Sequence, residues 1–349
     1  MKLVDIKVET LDIPFKVSFE HSSASRSFTQ AILVTAVTEN GQHGLGEGCP
    51  RSYVTGESLE SAHSFVQTHR EDFLSLTSVE CLKNWLLLNS DLVDKNPAAF
   101  CAVEIALLNA LSLDKNTTIE ELLSLPKLNG RFHYTGILGS SKVDVFSSQL
   151  QQYLKLGFND FKIKLFGEKS IDSKNINALK SMLAHTIRVR FDANNLWANA
   201  DDAIRYIQSL DYPSFALEEP LIKGQYKESI KVSKALDSKI ILDESFVCEA
   251  DFNPIMNTEK TWIINIRVSK MGGVLRSLLI ANRALELNIP IIIGAQVGET
   301  SILSRAALTV ANSYRSNLVA QEGAFGTYLL KKDIIEPSIM FGENGCLEI

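Results

Sequence analysis

From about residue 133 onward the sequence repeats one alternation eight times: a short apolar or β-branched run, then an amphipathic stretch of helical period. The runs are HYTGIL (133–138), FKIKL (161–165), IRVRFD (187–192), FALEE (215–219), KIILDE (239–244), WIINIRV (262–268), IPIIIG (289–294) and NLVAQE (317–322). Their spacing of about 24–28 residues is the size of one strand-plus-helix unit. Strands separated by helices must pair in parallel, and eight in series favour a closed barrel over an open, doubly wound sheet. No GxGxxG follows the first run, which argues against a dinucleotide-binding sheet.

The preceding residues have a different grammar. Leu3–Ile13 and Ala31–Glu39 alternate like antiparallel strands, and Glu39-Asn40-Gly41 turns into a third, Gly44–Glu47. Helical patterns follow at 57–75, 78–86 and 98–112, the last nearly all apolar. The expected organisation is therefore an α+β capping domain over residues 1–118 and a catalytic barrel over 119–330. A tail, 331–349, is expected to pack back on the capping domain.

Composition excludes several classes. Thirty-five basic against 41 acidic residues leave a charge of −6, the wrong sign for a nucleic-acid surface. No apolar run reaches the roughly 18 residues of a membrane span, so no membrane partner is expected. MKLVDIKVETLDIP reads as a strand, not a signal peptide. The five cysteines are scattered, without a CxxC, as in a reduced cytoplasmic protein.

The chemistry should lie where barrel strands end, since the loops there build the site in folds of this kind. Three consecutive strands end in acid: Asp192, then Glu218 and Glu219, then Asp243 and Glu244. Neighbouring carboxylates repel unless a cation lies among them, and hard oxygen donors suit Mg²⁺ or Mn²⁺. The simpler alternative is that each acid caps the helix that follows it. In FKIKL, Lys162 and Lys164 leave the strand on one face and Phe161, Ile163 and Leu165 on the other, so the lysines point into the barrel. Burial and a like charge would lower a lysine pKa from about 10.4 to roughly 7–8, where it serves as a base. A surface strand with two solvated lysines is the alternative.

In order along the chain, KxK, DxN, E-E-P, DES and a basic residue before GG resemble the enolase superfamily, specifically its muconate-lactonizing-enzyme subgroup. The resemblance covers nearly the whole chain. It implies a modified (β/α)7β TIM barrel with an N-terminal α+β capping domain, and a small-molecule carboxylate substrate that loses its α-proton through an enolate. It implies Asp192, Glu218 and Asp243 as metal ligands, with Asn194, Glu219 and Glu244 behind them. Lys164 would be the acid/base, with Lys162 lowering its pKa. Residues 16–28, including Arg26, match the loop that closes over substrate, with Arg51 and Tyr53 in the next loop. Relatives are commonly homo-oligomers.

One position departs from the pattern. Where the family usually has lysine on the sixth strand, the segment INIRVSKMGG has Arg267, and Lys270 lies past the strand end. A guanidinium with a pKa above 12 would need a shift of about 5 units, or about 7 kcal/mol, to act as a base. A fixed cation is the cheaper role, and an ion pair with Glu299 or Glu322 the structural alternative. A one-base lyase or cycloisomerase through Lys164 is thus favoured over a dipeptide or N-acyl amino acid epimerase or racemase. A non-catalytic metal-binding barrel is the reading from another class. Gln296, Glu299 and Glu322 are expected on the rim, where they would touch substrate.

Overall fold

The computed structural model of this 349-residue chain describes residues 2–21, 24–182 and 187–349. Strands β1 (Leu3–Leu11), β4 (Ala31–Thr38) and β5 (His43–Gly48) form an antiparallel sheet, with β2 (Pro14–His21) and β3 (Ala24–Phe28) paired separately between β1 and β4. Residues 16–28 were expected to be a loop and instead lie largely in this second hairpin; Ser22 and Ser23 lie outside the described residues. Helices α1 (Leu59–Thr68), α2 (Arg70–Leu74), α3 (Val79–Leu88), α4 (Ser90–Lys95) and α5 (Pro97–Asp114) follow.

Helix α5 lies directly on β5, and the sequence explains how. Gly44, Gly46 and Gly48 alternate along one face of HGLGEG. A Cβ at these positions would come within 2.2 Å of Ala106 O, 1.9 Å of Ala102 O and 2.0 Å of Ala98 O. The three alanines recur every fourth residue on α5, so helix and strand backbones meet with no side chain between them. Against the expectation that no segment is long and apolar enough to cross a membrane, helix α5 is, at 18 residues with mean hydropathy 1.4. Here 83% of it is buried inside the chain, as a core helix.

After α6 (Ile119–Leu122), strand β6 (Arg131–His133) precedes eight parallel strands: β7 (Gly136–Leu138), β8 (Asp160–Lys164), β9 (Arg188–Asp192), β10 (Ala216–Glu218), β11 (Lys239–Leu242), β12 (Trp262–Arg267), β13 (Ile291–Gly294) and β14 (Leu318–Gln321). They pair in sequence order, and Thr135 N–H donates to Gln321 O at 2.8 Å, drawing the sheet's two edges together. Crossovers are made by α7 (Val143–Lys155), α8 (Lys169–Met182), α9 (Ala200–Ser209), α10 (Tyr226–Leu236), the short α11 (Val268–Met271) with α12 (Val274–Glu286), and α13 (Ser301–Ser313). Between β11 and β12 the described residues have only two 3-10 turns, Glu249–Phe252 and Glu259–Thr261.

The run HYTGIL divides. Its start ends β6, which pairs with the C-terminal strand β15 (Cys346–Glu348); its end is the first barrel strand. The tail therefore departs from expectation. Its beginning touches the N-terminal part, where Lys331 N–H donates to Pro14 O. Its remainder lies on the barrel side, with Phe341 packed edge-on against Phe158 and Phe325. The reason is the unpaired edge of β6, which β15 completes.

Two buried carboxylates fix the N-terminal domain to the barrel. Glu47 accepts from Thr300 N (3.0 Å), Thr300 Oγ1 (2.6 Å) and Leu303 N (3.3 Å) at the start of α13. Glu104 accepts from Val274 N (2.5 Å) and Leu275 N (3.1 Å) at the start of α12. Each satisfies helix N–H groups that have no partner within their own helix.

Candidate active site

The barrel interior is layered by strand parity. Ala216, Ile241, Ile263 and Ile292 form an apolar floor. Two residues further along the same strands, Glu218, Asp243, Asn265 and Gly294 form the next layer. Gly294 leaves room for the Asn265 side chain there: a Cβ would stand 2.2 Å from Asn265 Oδ1. Above this layer a cavity of about 990 Å³ opens at the C-terminal ends of the strands. Lys162, Lys164, Asp192, Asn194, Glu244, Arg267, Gln296 and Glu322 line its barrel side. Tyr53 and Lys16 contribute from the N-terminal domain, and Tyr153, Leu156, Phe325, Tyr328 and Leu329 give it an apolar wall.

Lys162 is buried at the centre of the acids. Its Nζ lies 3.2 Å from Glu218, 2.8 Å from Glu322 and 3.8 Å from Asp192. Burial works against its charge, but Glu218, Glu322 and Asp192 outweigh burial and hold its pKa above the ordinary lysine value. Lys164, opposite Asp192 in the β8–β9 register, has the reverse balance. Enclosure, with Lys162 and Arg267 adding to it against the pull of Asp192, lowers it to about 8.

The carboxylates differ sharply in what they hold. Glu218 faces Lys162 and accepts from Asn265 Nδ2 at 3.1 Å; burial raises its pKa. Glu219 turns away, on a left-handed backbone with φ 40°. It accepts from Asp243 N (2.6 Å), Ser245 N (2.7 Å), Ser245 Oγ (2.7 Å) and Asn195 Nδ2 (3.1 Å), and so braces the end of β11. Burial raises it to about 7. Asp243 accepts from Lys270 Nζ at 2.9 Å on one oxygen and from Arg267 Nη2 on the other. Glu244 lines the cavity with its Oε2 unpartnered, and burial raises it to about 8. Asp192 accepts from Asn194 N–H at 3.1 Å. Among the described residues, no three His, Cys, Asp or Glu side chains are grouped closely enough to hold a metal ion. Asp192, Glu218 and Asp243 instead face Lys162, Arg267 and Lys270.

Of the expected rim residues, Glu322 and Gln296 line the cavity, and Glu299 and Arg26 do not. Glu322 is 3% exposed, with Arg190 Nη2 at 2.6 Å and Lys162 at 2.8 Å; although burial opposes it, these cations hold it down at about 2. It is therefore an internal counter-ion, not a free rim acid. Glu299 is not on the cavity wall: it accepts from Gln296 N at 2.6 Å, and burial raises it to about 8. Gln296 lines the cavity and accepts from Arg267 Nη1 at 3.0 Å. Arg267 thus pairs with Asp243 and Gln296, not with Glu299 or Glu322. Arg26 bonds Gln30 and stands 5.8 Å over the Tyr53 ring, off the cavity wall. Arg51 donates from Nη1 to the carbonyls of Gln30 and Pro50 and from Nη2 to that of Val297, tying loops together.

Sequence reasoning missed Arg190, Asn195, Asn265 and Lys270 as parts of the site. Arg190 was accessible to it, since the side chain two residues before Asp192 must also point inward. In the sequence Lys270 lies past the strand end, and Val268–Met271 is helical. One turn of helix returns its amine to Asp243 O (2.7 Å), Asp243 Oδ1 (2.9 Å) and Asn265 O (2.8 Å). Burial and the Arg267 charge pull that amine down to about 7.

Comparison with known proteins gives the family and the fold. Residues 145–349 match the family described as Enolase C-terminal domain-like. The chain is 24% identical over 340 residues to the N-succinyl-L-Arg/Lys racemase of Bacillus cereus, covering 96% of this chain and 90% of that protein. It is 27% identical over 360 residues to the L-Lys-D/L-Arg epimerase of Methylococcus capsulatus, covering 100% and 97%. Among solved structures, a substrate-liganded L-Ala-D/L-Glu epimerase from Bacillus subtilis superposes with a TM-score of 0.89 at 22% identity, over 100% of this chain and 96% of the other. The Enterococcus faecalis dipeptide epimerase complexed with Mg and L-Leu-L-Tyr gives 0.86 at 24% identity, over 100% and 97%.

Proposed function

The chain belongs to the Enolase C-terminal domain-like family, and from that premise we propose that it is a divalent-metal-dependent enzyme that removes the α-proton of a small-molecule carboxylate, with Lys164 as the base. The observation that carries this is Lys164 itself: an inward amine on the cavity wall, beside a row of strand-end carboxylates, lowered to about 8. Free amine at that pKa coexists with ammonium near neutrality, as a proton carrier requires.

The donor chemistry of Asp192, Glu218 and Asp243 suits Mg²⁺ or Mn²⁺: three buried carboxylates at the ends of adjacent strands. These three would hold the ion, with Glu219 fixing the backbone of Asp243. The Mg in the Enterococcus faecalis relative supports the same cofactor. When bound, the ion supplies a Lewis-acid charge for the substrate carboxylate. Lys162, pinned by Glu322 and Glu218, keeps a positive charge near Lys164 that disfavours protonation there. Arg267 lies on β12, four strands around from β8, and so faces the cavity from the other side. It stabilises negative charge or holds the substrate but does not readily deliver a proton.

That arrangement favours one-base chemistry, of the lyase or cycloisomerase type. The second reading is a dipeptide or N-acyl amino acid epimerase or racemase, favoured by the names of the relatives. Incubation in D₂O with pooled N-acyl amino acids, dipeptides and other carboxylic acids tests both. Lys164→Ala should abolish deuterium uptake at Cα, and Lys164→Arg should not restore it. Label confined to one retained enantiomer supports one base; label in both, with interconversion, supports the epimerase. No exchange by the native protein would leave a non-catalytic barrel.

A further inference from the structure

We propose that Arg267 is a tethered competitor for the divalent ion: its guanidinium takes an Asp243 oxygen that the ion needs, and must leave Asp243 before the ion binds. The inference rests on Asp243 being a ligand, as above. Asp243 has both carboxylate oxygens occupied, one by Lys270 at 2.9 Å and the other by Arg267. Lys270 is wholly buried on three acceptors and has nowhere to go. Arg267 differs. Its side chain is 12% exposed, it lines the cavity, and Nη1 is held separately by Gln296 on the next loop. Released from Asp243, it keeps that second anchor. Arg267 Nε and Gln296 Nε2 lack partners in this pose, so the pair is not locked.

Charge decides the direction. A dication beside Asp243 would repel a guanidinium left there, so the two occupy the position alternately. A carboxylate ligand in the cavity that draws Arg267 away should then tighten the ion, and the ion should tighten that ligand by the same factor. A shorter lysine ammonium at 267 has one head group, not two separated donors, and competes less.

Mn²⁺ binding, followed by the electron paramagnetic resonance signal of the free ion, tests this without turnover. Arg267→Gln should bind Mn²⁺ at least tenfold tighter than the native protein, and Arg267→Lys should fall between them; thermal melts confirm that each variant is folded. Equal affinities for all three would overturn the competition. If Asp243→Asn abolishes binding while the affinities are equal, the ligand assignment stands and the competition alone falls. If Asp243→Asn leaves Mn²⁺ binding unchanged, the assignment falls and the competition with it.

Discussion

Replacing Glu104 by glutamine should make the protein more stable in alkali, against the usual result for a buried hydrogen-bonding group. Glu104 is fully buried on α5 and caps α12 through Oε1, while Oε2 has no partner. Burial raises its pKa from 4.5 to about 8, against the two N–H donors and Arg276, which lower it. The folded carboxyl therefore keeps its proton up to about pH 8, whereas the unfolded one releases it near 4.5. Between those limits the native state binds more protons, so stability falls as pH rises. At 1.36 kcal/mol per unit, the 3.5-unit difference sets a ceiling of about 5 kcal/mol, lost progressively from pH 4.5 to 8. Glutamine retains a carbonyl oxygen for both N–H groups and does not titrate. Native and Glu104→Gln proteins should be unfolded in urea at intervals from pH 5 to 9, followed by circular dichroism. The stability difference, variant minus native, should start near zero or slightly negative and rise by about 2–5 kcal/mol across the series. Taking the difference removes Glu47 and Glu299, which burial raises to about 7 and about 8 and which titrate with the same sign. A flat difference, or a variant less stable than native at pH 9, would refute the argument that this carboxylate is held against its charge.

Glu322→Gln should destabilise by about 3 kcal/mol or more at pH 7 in the same urea assay, because it leaves Lys162 and Arg190 without their shared counter-ion. The loss should shrink as pH falls from 4.5 toward 2, since Glu322 is held at about 2; a loss below 1 kcal/mol at pH 7 would contradict the pairing. Glu219→Ala should cost about 2–4 kcal/mol by stranding the N–H groups of Asp243 and Ser245, and should weaken Mn²⁺ binding at least tenfold by freeing Asp243. Unchanged binding would separate Glu219 from the ion site.

What the sequence disclosed follows from which signals are local. Strand alternation gives the inward direction of Lys162 and Lys164, because parity needs only the strand itself. It failed where the backbone changed state. At Lys270 the strand becomes a helical turn, so parity no longer applies. At 133–138 one apolar run serves two strands, which depends on β15 arriving from the far end of the chain. In the 14–28 segment Phe15, Val17 and Phe19 alternate with polar residues, but the partner stretch ASRSF has no such alternation, and the two strands pair with each other in a sheet of their own. Glu322 was legible as a strand-end acid, but not as a counter-ion. Its partners Lys162 and Arg190 lie 160 and 132 positions away, and only barrel closure brings them together.

The substitution at 267 changes geometry while leaving charge alone, and its effect depends on the groups around it. Four carboxylates in the barrel, Asp192, Glu218, Asp243 and Glu322, face four basic side chains, Lys162, Arg190, Arg267 and Lys270. Three of these basic groups are at most 2% exposed, each with at least two acceptors. They cannot respond to a ligand without breaking buried ion pairs. Arg267 alone among the four keeps 12% of its side chain open. An acidic cluster compensated from within does not need an ion in order to fold; the ion has to compete for it. A change at residue 267 alone, within this chain, should therefore alter ion affinity and the number of faces on which a proton moves. The locked pairs beneath it should contribute stability to every variant alike.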